Sequence, residues 1–290
     1  MKEHKNILII DDEQVVIDSI SKIAHLENYS YSSVLDAKSG FEKINNEDFD
    51  LIICDIMLPC MDGFQFLSEL ETNRIEIPVI MTTGFSTIEN AVKSLYTGAI
   101  EFIPKPFSID EMVSVIRRGM KYSSIVRSRK SDSNSLQPVP CPAKYYRLGY
   151  SSWMNKEFDG SVLIGATDFF IKTIEQIKKI ELLDANEVLL QASPAVKFFT
   201  EDGLIHQLYS VISGTIIAKN ERLLKEPELL EKDPYFEGWI YRIIPTELDY
   251  EMKFKYYNSP PLNFLSLSSL VSIFPWRKRK RSSRILIKTG

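Results

Sequence analysis

Asp11, Asp12, Asp55, Thr83 and Lys105 offer three carboxylates, a hydroxyl and an ammonium, and no other set of side chains in this chain matches them for chemistry. Carboxylates crowded together repel, and a hard divalent cation with oxygen ligands relieves the repulsion. Mg2+ suits, because it keeps several waters and needs only one or two carboxylates plus a phosphate oxygen. Cys54, Cys60 and Cys141 make no CxxC pair and no zinc spacing, so they read as reduced thiols. His4, His25 and His206 are too scattered to form a ligand cluster, and each reads as a surface or packing residue.

The five residues converge only if the elements before them end at a common edge. Residues 7–10 (ILII) form an apolar run that stops at Asp11-Asp12, and 51–54 (LIIC) stops at Asp55. Residues 79–81 (VIM) lead to Thr82-Thr83-Gly84, and 100–103 precede Lys105-Pro106. Short apolar runs closed by turn residues read as parallel strands buried on both faces. Between them apolar residues recur at helical spacing, over 13–26, 64–71 and 87–97. Strand and helix alternate about five times in roughly 120 residues, which predicts an α/β doubly wound parallel sheet of five strands. Ligand sites of such sheets lie outside the carboxyl ends of the strands, where all five side chains fall.

A chain of 290 residues has room for two ordinary domains. Hydrophobic content of 44% and charged content of 26% predict a cored globular protein. The net charge of −4 gives no global reason to expect nucleic-acid binding. The run MKEHKNILII is too short and too soon charged for a signal peptide, and the expected location is cytoplasmic. Residues 1–122 are the first domain. Residues 123–143 turn rich in serine, proline and charge and read as a linker. Residues 144–257 carry short β-rich segments (160–165, 188–191, 196–199 and 238–244) and one helical stretch, 220–231, predicting a small, mostly antiparallel β domain. Residues 258–290 form an apolar-then-basic tail.

Residues 5–122 closely resemble the receiver domains of two-component response regulators, which have a flavodoxin-like fold. The resemblance rests on Asp11-Asp12, on Asp55 within DIMLPCMDG, on Thr83-Gly84 and on Lys105-Pro106. It implies that Asp55 is a phosphoacceptor, taking a phosphoryl group from the phosphohistidine of a sensor histidine kinase by nucleophilic attack. It also implies that Asp12, Asp55 and the carbonyl of Met57 hold Mg2+ directly, with Asp11 acting through a water. Lys105 would neutralise the transferring oxygens, and Gly84 would leave room for them. Thr83 would donate to a phosphoryl oxygen and Phe102 would rotate inward, a switch that reshapes the face made by the fourth helix, fifth strand and fifth helix. Pro106 would follow a cis bond. Two positions depart from the pattern: Cys60 stands where glycine is common, and Thr82 adds a second hydroxyl. Met57 and Phe85 are bulky and apolar where the family tunes water access, so slow autodephosphorylation is expected.

The second domain resembles the H protein of the glycine cleavage system, a lipoyl-carrying β fold of the barrel-sandwich hybrid type. The residues that carry the resemblance include Trp153, Asp159-Gly160, Ile164-Gly165, Thr167-Asp168, Ser213-Gly214, Pro227-Glu228-Leu229 and Glu237-Gly238-Trp239. In that family a lysine ten residues before the serine of Ser213-Gly214 carries lipoate; here that position is Gly203. Lys197, six residues earlier, falls within a preceding strand. Lipoate is therefore not expected, and the domain reads as an H-like interaction module with an unknown protein partner.

The sequence thus predicts a response regulator that signals by protein–protein contact and is not an enzyme beyond accepting, and slowly losing, its own phosphate. The alternative is a lipoyl carrier of glycine cleavage regulated by phosphorylation. A DNA-binding output needs a helix pair with a basic second member, which is missing after the linker, so no specific DNA binding is expected. Residues 262–276 are too short to span a bilayer, but with Arg277–Arg281 they offer a route to contact with an anionic membrane surface.

Overall fold

The computed structural model describes residues 5–85, 87–131 and 137–257, and the tail at 258–290 lies outside them. β1 (Asn6–Ile10), β3 (Leu51–Asp55) and β4 (Val79–Thr83) are buried almost throughout, as parallel strands covered on both sides must be. With β2 (Ser30–Val34) and β5 (Glu101–Pro104) they form a parallel sheet in the order β2-β1-β3-β4-β5. Because side chains alternate across a strand, the unbroken apolar runs feed two cores. Ile7, Ile9, Ile53 and Ile80 face α1 (Gln14–Leu26) and the first half of α5 (Ile109–Ser131). Leu8, Ile10, Ile52 and Met81 face α2 (Ala37–Asn46), α3 (Gly63–Thr72) and α4 (Ile88–Tyr96). Helix starts are fixed locally. Asp62 and Gln65 form a reciprocal capping box on α3, and the Thr87 hydroxyl accepts from Asn90 N at the start of α4.

The fold departs from the sequence expectation in two places. The segment read as a linker from 123 begins instead as helix, because α5 runs on to Ser131. Arg127 fastens this extension by pairing with Asp50 and donating to the carbonyl of Phe49. The stretch 220–231 is not one helix. It is a 3-10 turn at Glu221–Leu224 and a single α-helical turn, α7 (Leu229–Lys232), separated by Lys225-Glu226-Pro227, where proline constrains the chain.

The second domain is mostly antiparallel. A six-stranded sheet contains β6 (Tyr146–Leu148), β7 (Ser152–Lys156), β8 (Val162–Ala166), β10 (Val188–Leu189), β13 (Gly214–Lys219) and β14 (Trp239–Pro245), in the order β10-β13-β14-β8-β7-β6. A separate three-stranded sheet has the order β12-β11-β9, from β9 (Ile177–Leu182), β11 (Pro194–Thr200) and β12 (Ile205–Tyr209). Trp153 is fully buried, and its indole N–H donates to the carbonyls of Ala166 (2.8 Å) and Pro234 (3.1 Å). Gly165 passes so close that a Cβ there would lie 2.5 Å from the Trp153 ring. The Trp153 and Ile164-Gly165 pieces of the resemblance are therefore one packing contact.

Both domains fall within one compact unit. α6 (Asp168–Thr173) packs on the second half of α5, where Tyr122 meets the rings of Tyr150 and Phe169. Arg118, 7% exposed, pairs with Glu101 and lies over the Phe170 ring. His206, 2% exposed, lies 2.9 Å from Ser114 Oγ through Nδ1, and its Nε2 has no partner among the described residues. Burial, with Arg118 and Arg117 nearby and only Asp202 opposing, lowers the His206 pKa to about 3.

A histidine whose pKa is depressed on folding costs stability once the unfolded chain can bind a proton that the folded one refuses. The window therefore opens near the ordinary value of about 6.5 and extends down to the folded value. Lowering the pH from 7 to 5 is expected to remove up to about 2 kcal/mol of stability through His206. Urea titration of wild type and His206→Asn at both pH values checks this, the variant losing less.

Candidate functional site

At the carboxyl edge of the five-stranded sheet, the loops after β1, β3, β4 and β5 bring the predicted residues together. Carboxylate oxygens of Asp11, Asp12 and Asp55 all lie within 4.8 Å of one another. Asp11 (fully buried) and Asp55 (3% exposed) sit at the floor, and Asp12 is exposed at the rim. Lys105 Nζ reaches in from β5, 2.8 Å from Asp11 and 3.4 Å from Asp55. The Lys105–Pro106 peptide is cis, as the sequence reading expected. Thr83, fully buried, ends β4, and its hydroxyl accepts from Phe85 N at 3.1 Å. A Cβ added at Gly84 would meet nothing within 4 Å, so the space beside Gly84 is open. Met57 and Phe85 follow β3 and β4 in the adjoining loops and are 53% and 68% exposed.

Burial raises the Asp55 carboxyl above its usual range; Asp11 adds to the effect and Lys105 opposes it. Asp11 is raised for the same leading reason, against its bonds to Lys105 and to Glu13 N. Burial alone would lower Lys105, but its contacts with Asp11 and Asp55 outweigh that and leave it raised. Asp11 Oδ2 and Asp55 Oδ1 face the ammonium yet accept no well-directed hydrogen bond among the described residues. Hard oxygen donors gathered at one point, with a single ammonium to balance them, fit a divalent cation.

Sequence reasoning missed Glu13, whose carboxylate lies 3.4 Å from Lys105 Nζ. Its place directly after Asp11-Asp12 was the available signal. It also quoted Gly63 in DIMLPCMDG without a reason. A Cβ there would fall 2.4 Å from the Asp55 carbonyl, so glycine lets α3 start against the acidic strand end. Cys60, in the same loop, has φ +68°, the left-handed region that explains glycine's frequency at that position. In the second domain Gly203 (φ +82°) sits in the turn joining β11 to β12. Lys197 lies within β11, 3.7 Å from Glu181 of β9.

Residues 7–117 match the model of the response regulator receiver domain, and residues 144–257 match that of the glycine cleavage H-protein. The transcriptional regulatory protein DltR of Streptococcus agalactiae serotype III (strain NEM316) is 25% identical over 183 residues, 63% of this chain and 77% of DltR. The regulatory protein AtoC of Escherichia coli (strain K12) is 29% identical over 119 residues, 41% of this chain and 26% of AtoC. Among solved structures, a CheY-like response regulator receiver domain protein from Methanospirillum hungatei JF-1 is 35% identical, covers 41% of this chain and 96% of that chain, and has a TM-score of 0.39. A parallel α/β sheet with this acidic edge defines a receiver. Residues 7–117 are a response regulator receiver domain and residues 144–257 a glycine cleavage H-protein domain, fused in one chain.

Because burial raises the Asp55 pKa, its ionised form weakens the metal-free fold at neutral pH. The sign follows from linkage: the unfolded chain gives up this proton first, so stability falls as pH rises above about 4. In EDTA at pH 7, Asp55→Asn is expected to melt at a higher temperature than wild type. Added Mg2+ should raise the Tm of wild type more than that of the variant. Thermal melts of both proteins in EDTA and in Mg2+ check these outcomes.

Proposed function

We propose that Asp55 accepts a phosphoryl group from the phosphohistidine of a sensor histidine kinase, and that the H-like domain conveys the result through protein–protein contact. The observation that carries this reading is Lys105 Nζ standing between Asp11 and Asp55, with Thr83 and the space above Gly84 beside them. An Asp55 carboxylate oxygen attacks phosphorus in line. The new P–O bond forms as the P–N bond breaks, and the imidazole nitrogen keeps that electron pair. Lys105 holds its ammonium where negative charge gathers on the transferred oxygens. Thr83 then turns its hydroxyl from Phe85 N to a phosphoryl oxygen. Asp12, Asp55 and the Met57 carbonyl would hold Mg2+, with Asp11 acting through a water; the ion supplies charge neutralisation when bound.

The H-like domain is read as a contact module because the hairpin position that would carry lipoate is Gly203. The only lysine on the two hairpin strands, Lys197, lies inside β11 facing Glu181. The transcriptional role of DltR belongs to that protein.

Incubation with acetyl phosphate and Mg2+ is expected to place one hydroxylamine-labile phosphoryl group on Asp55 and none on Asp55→Asn; an unlabelled wild type would overturn the reading. With Met57 and Phe85 bordering the site, the acyl phosphate should persist for minutes to hours, and a half-life of seconds by phosphate release would count against their role. Intact-mass measurement after coexpression with a lipoyl ligase should show no lipoyl adduct.

A further inference from the structure

The receiver and the second domain pack tightly where Tyr122 meets Tyr150 and Phe169. They do so again at Gly149, where an added Cβ would lie 3.3 Å from the Leu95 carbonyl oxygen. Beside Phe102 of β5, however, a cleft of about 410 Å3 remains, walled by α4, β5 and α5 on one side and by β11 and β12 on the other. Protein interiors close gaps between packed elements, and this opening has the size of a small-molecule site. Its walls are largely apolar, with Ile88 and Phe102 from the receiver and Pro194 and Ile205 from the second domain. Water alone finds few partners on such walls.

The charged groups that line the cleft are already engaged. Arg118, buried, pairs with Glu101 and lies over the Phe170 ring. Glu111 accepts from Ser108 N at 2.8 Å and from Ser108 Oγ at 2.9 Å, at the start of α5. An ionised ligand would leave water without gaining a free counter-ion, which is unfavourable. The neutral polar groups have capacity left. The Gln207 side-chain amide lines the cleft and has no hydrogen bond among the described residues. Thr87 Oγ1 accepts from Asn90 N at 3.1 Å, which leaves the hydroxyl proton to donate. Tyr209 Oη lies 3.5 Å from the Phe102 carbonyl oxygen, at the outer limit of a hydrogen bond. A side-chain amide offers a donor and an acceptor side by side, and an uncharged amide or lactam edge is its reciprocal partner.

We propose that this cleft is a binding site for an uncharged ring compound bearing a carboxamide or lactam edge, its ring against Ile88, Phe102, Pro194 and Ile205 and its polar edge on Gln207. Thr87 and Tyr209 supply further hydroxyls to that edge. Both domains line the cleft, so the ligand touches both, and its binding stabilises the folded chain by mass action. The site uses none of the acidic residues at the sheet edge and does not depend on the reading of Asp55.

Isosteric probes test the site on the full chain: naphthalene-2-carboxamide, 2-naphthoate and 2-naphthylmethylammonium. Each is titrated into labelled protein and followed by two-dimensional NMR, so that shifted signals report where it sits. The amide is expected to shift the signals of Ile88, Phe102 and Gln207, and to bind about tenfold or more tighter than either ion. Gln207→Leu, which keeps side-chain bulk and removes the amide, should weaken amide binding by about three- to tenfold. Ile88→Trp, at a position open enough to take a larger side chain, should occlude the cleft and block the amide. Equal binding of all the probes, shifts confined to residues outside the cleft, or no binding of the amide would each overturn the site. A Gln207→Leu or Ile88→Trp protein that is folded by thermal melt and binds the amide like wild type would do the same.

Discussion

One ammonium between two buried carboxylates is the constraint on which the receiver depends. At separations up to 4.8 Å, Asp11 and Asp55 repel by about 3 kcal/mol at an effective dielectric near 20, before the cost of burying either. Lys105 attracts each of them more strongly, at 2.8 and 3.4 Å, and so makes the arrangement tolerable. It does not neutralise it. Three carboxylates and one ammonium leave a charge of about −2, which a divalent cation would cancel. The sheet fixes the floor of this pocket, and around it stand the Thr83 hydroxyl, the loop into α4 and Phe102 of β5.

The site was legible in the sequence because its residues stand at strand ends, and strands buried on both faces announce themselves as apolar runs. ILII, LIIC and VIM each stop at a functional side chain, and the structure gathers those ends as the pattern required. Glu13 escaped notice because one more acid in an acidic cluster carries no signature of its own. Gly63 was visible as a letter but not as a reason, since only the fold shows the Asp55 carbonyl occupying the place of its missing Cβ.

Elements that owe their state to tertiary contact were harder to see. β2, with the sequence SYSSV, is a polar edge strand with no apolar run to betray it. The end of α5 carries serines and basic residues that suit a linker equally well; Arg127 on Asp50 makes it helix. His206 is the clearest case. An isolated histidine in a strand has a surface or a core reading with equal ease. Its burial follows from α5 of the other domain, through Ser114 some ninety positions away, which no local pattern encodes.

The second domain likewise rests its scaffold and its hairpin on different contacts. The contacts that define its scaffold, Trp153 against Gly165 and Gly214 against the Ile244 carbonyl, lie in the six-stranded sheet. The hairpin belongs to the other sheet and takes no part in those two contacts. Gly203 accepts the left-handed turn, Asp202 supplies a charge that finds Arg117, and Leu204 supplies apolar surface that α5 covers. A swinging arm needs a tip surrounded by solvent; a docking element needs a tip complementary to a neighbour. The residues at 202–204 satisfy the second requirement, and they do so against the first half of α5, the helix that follows Lys105 and the acidic edge of the sheet.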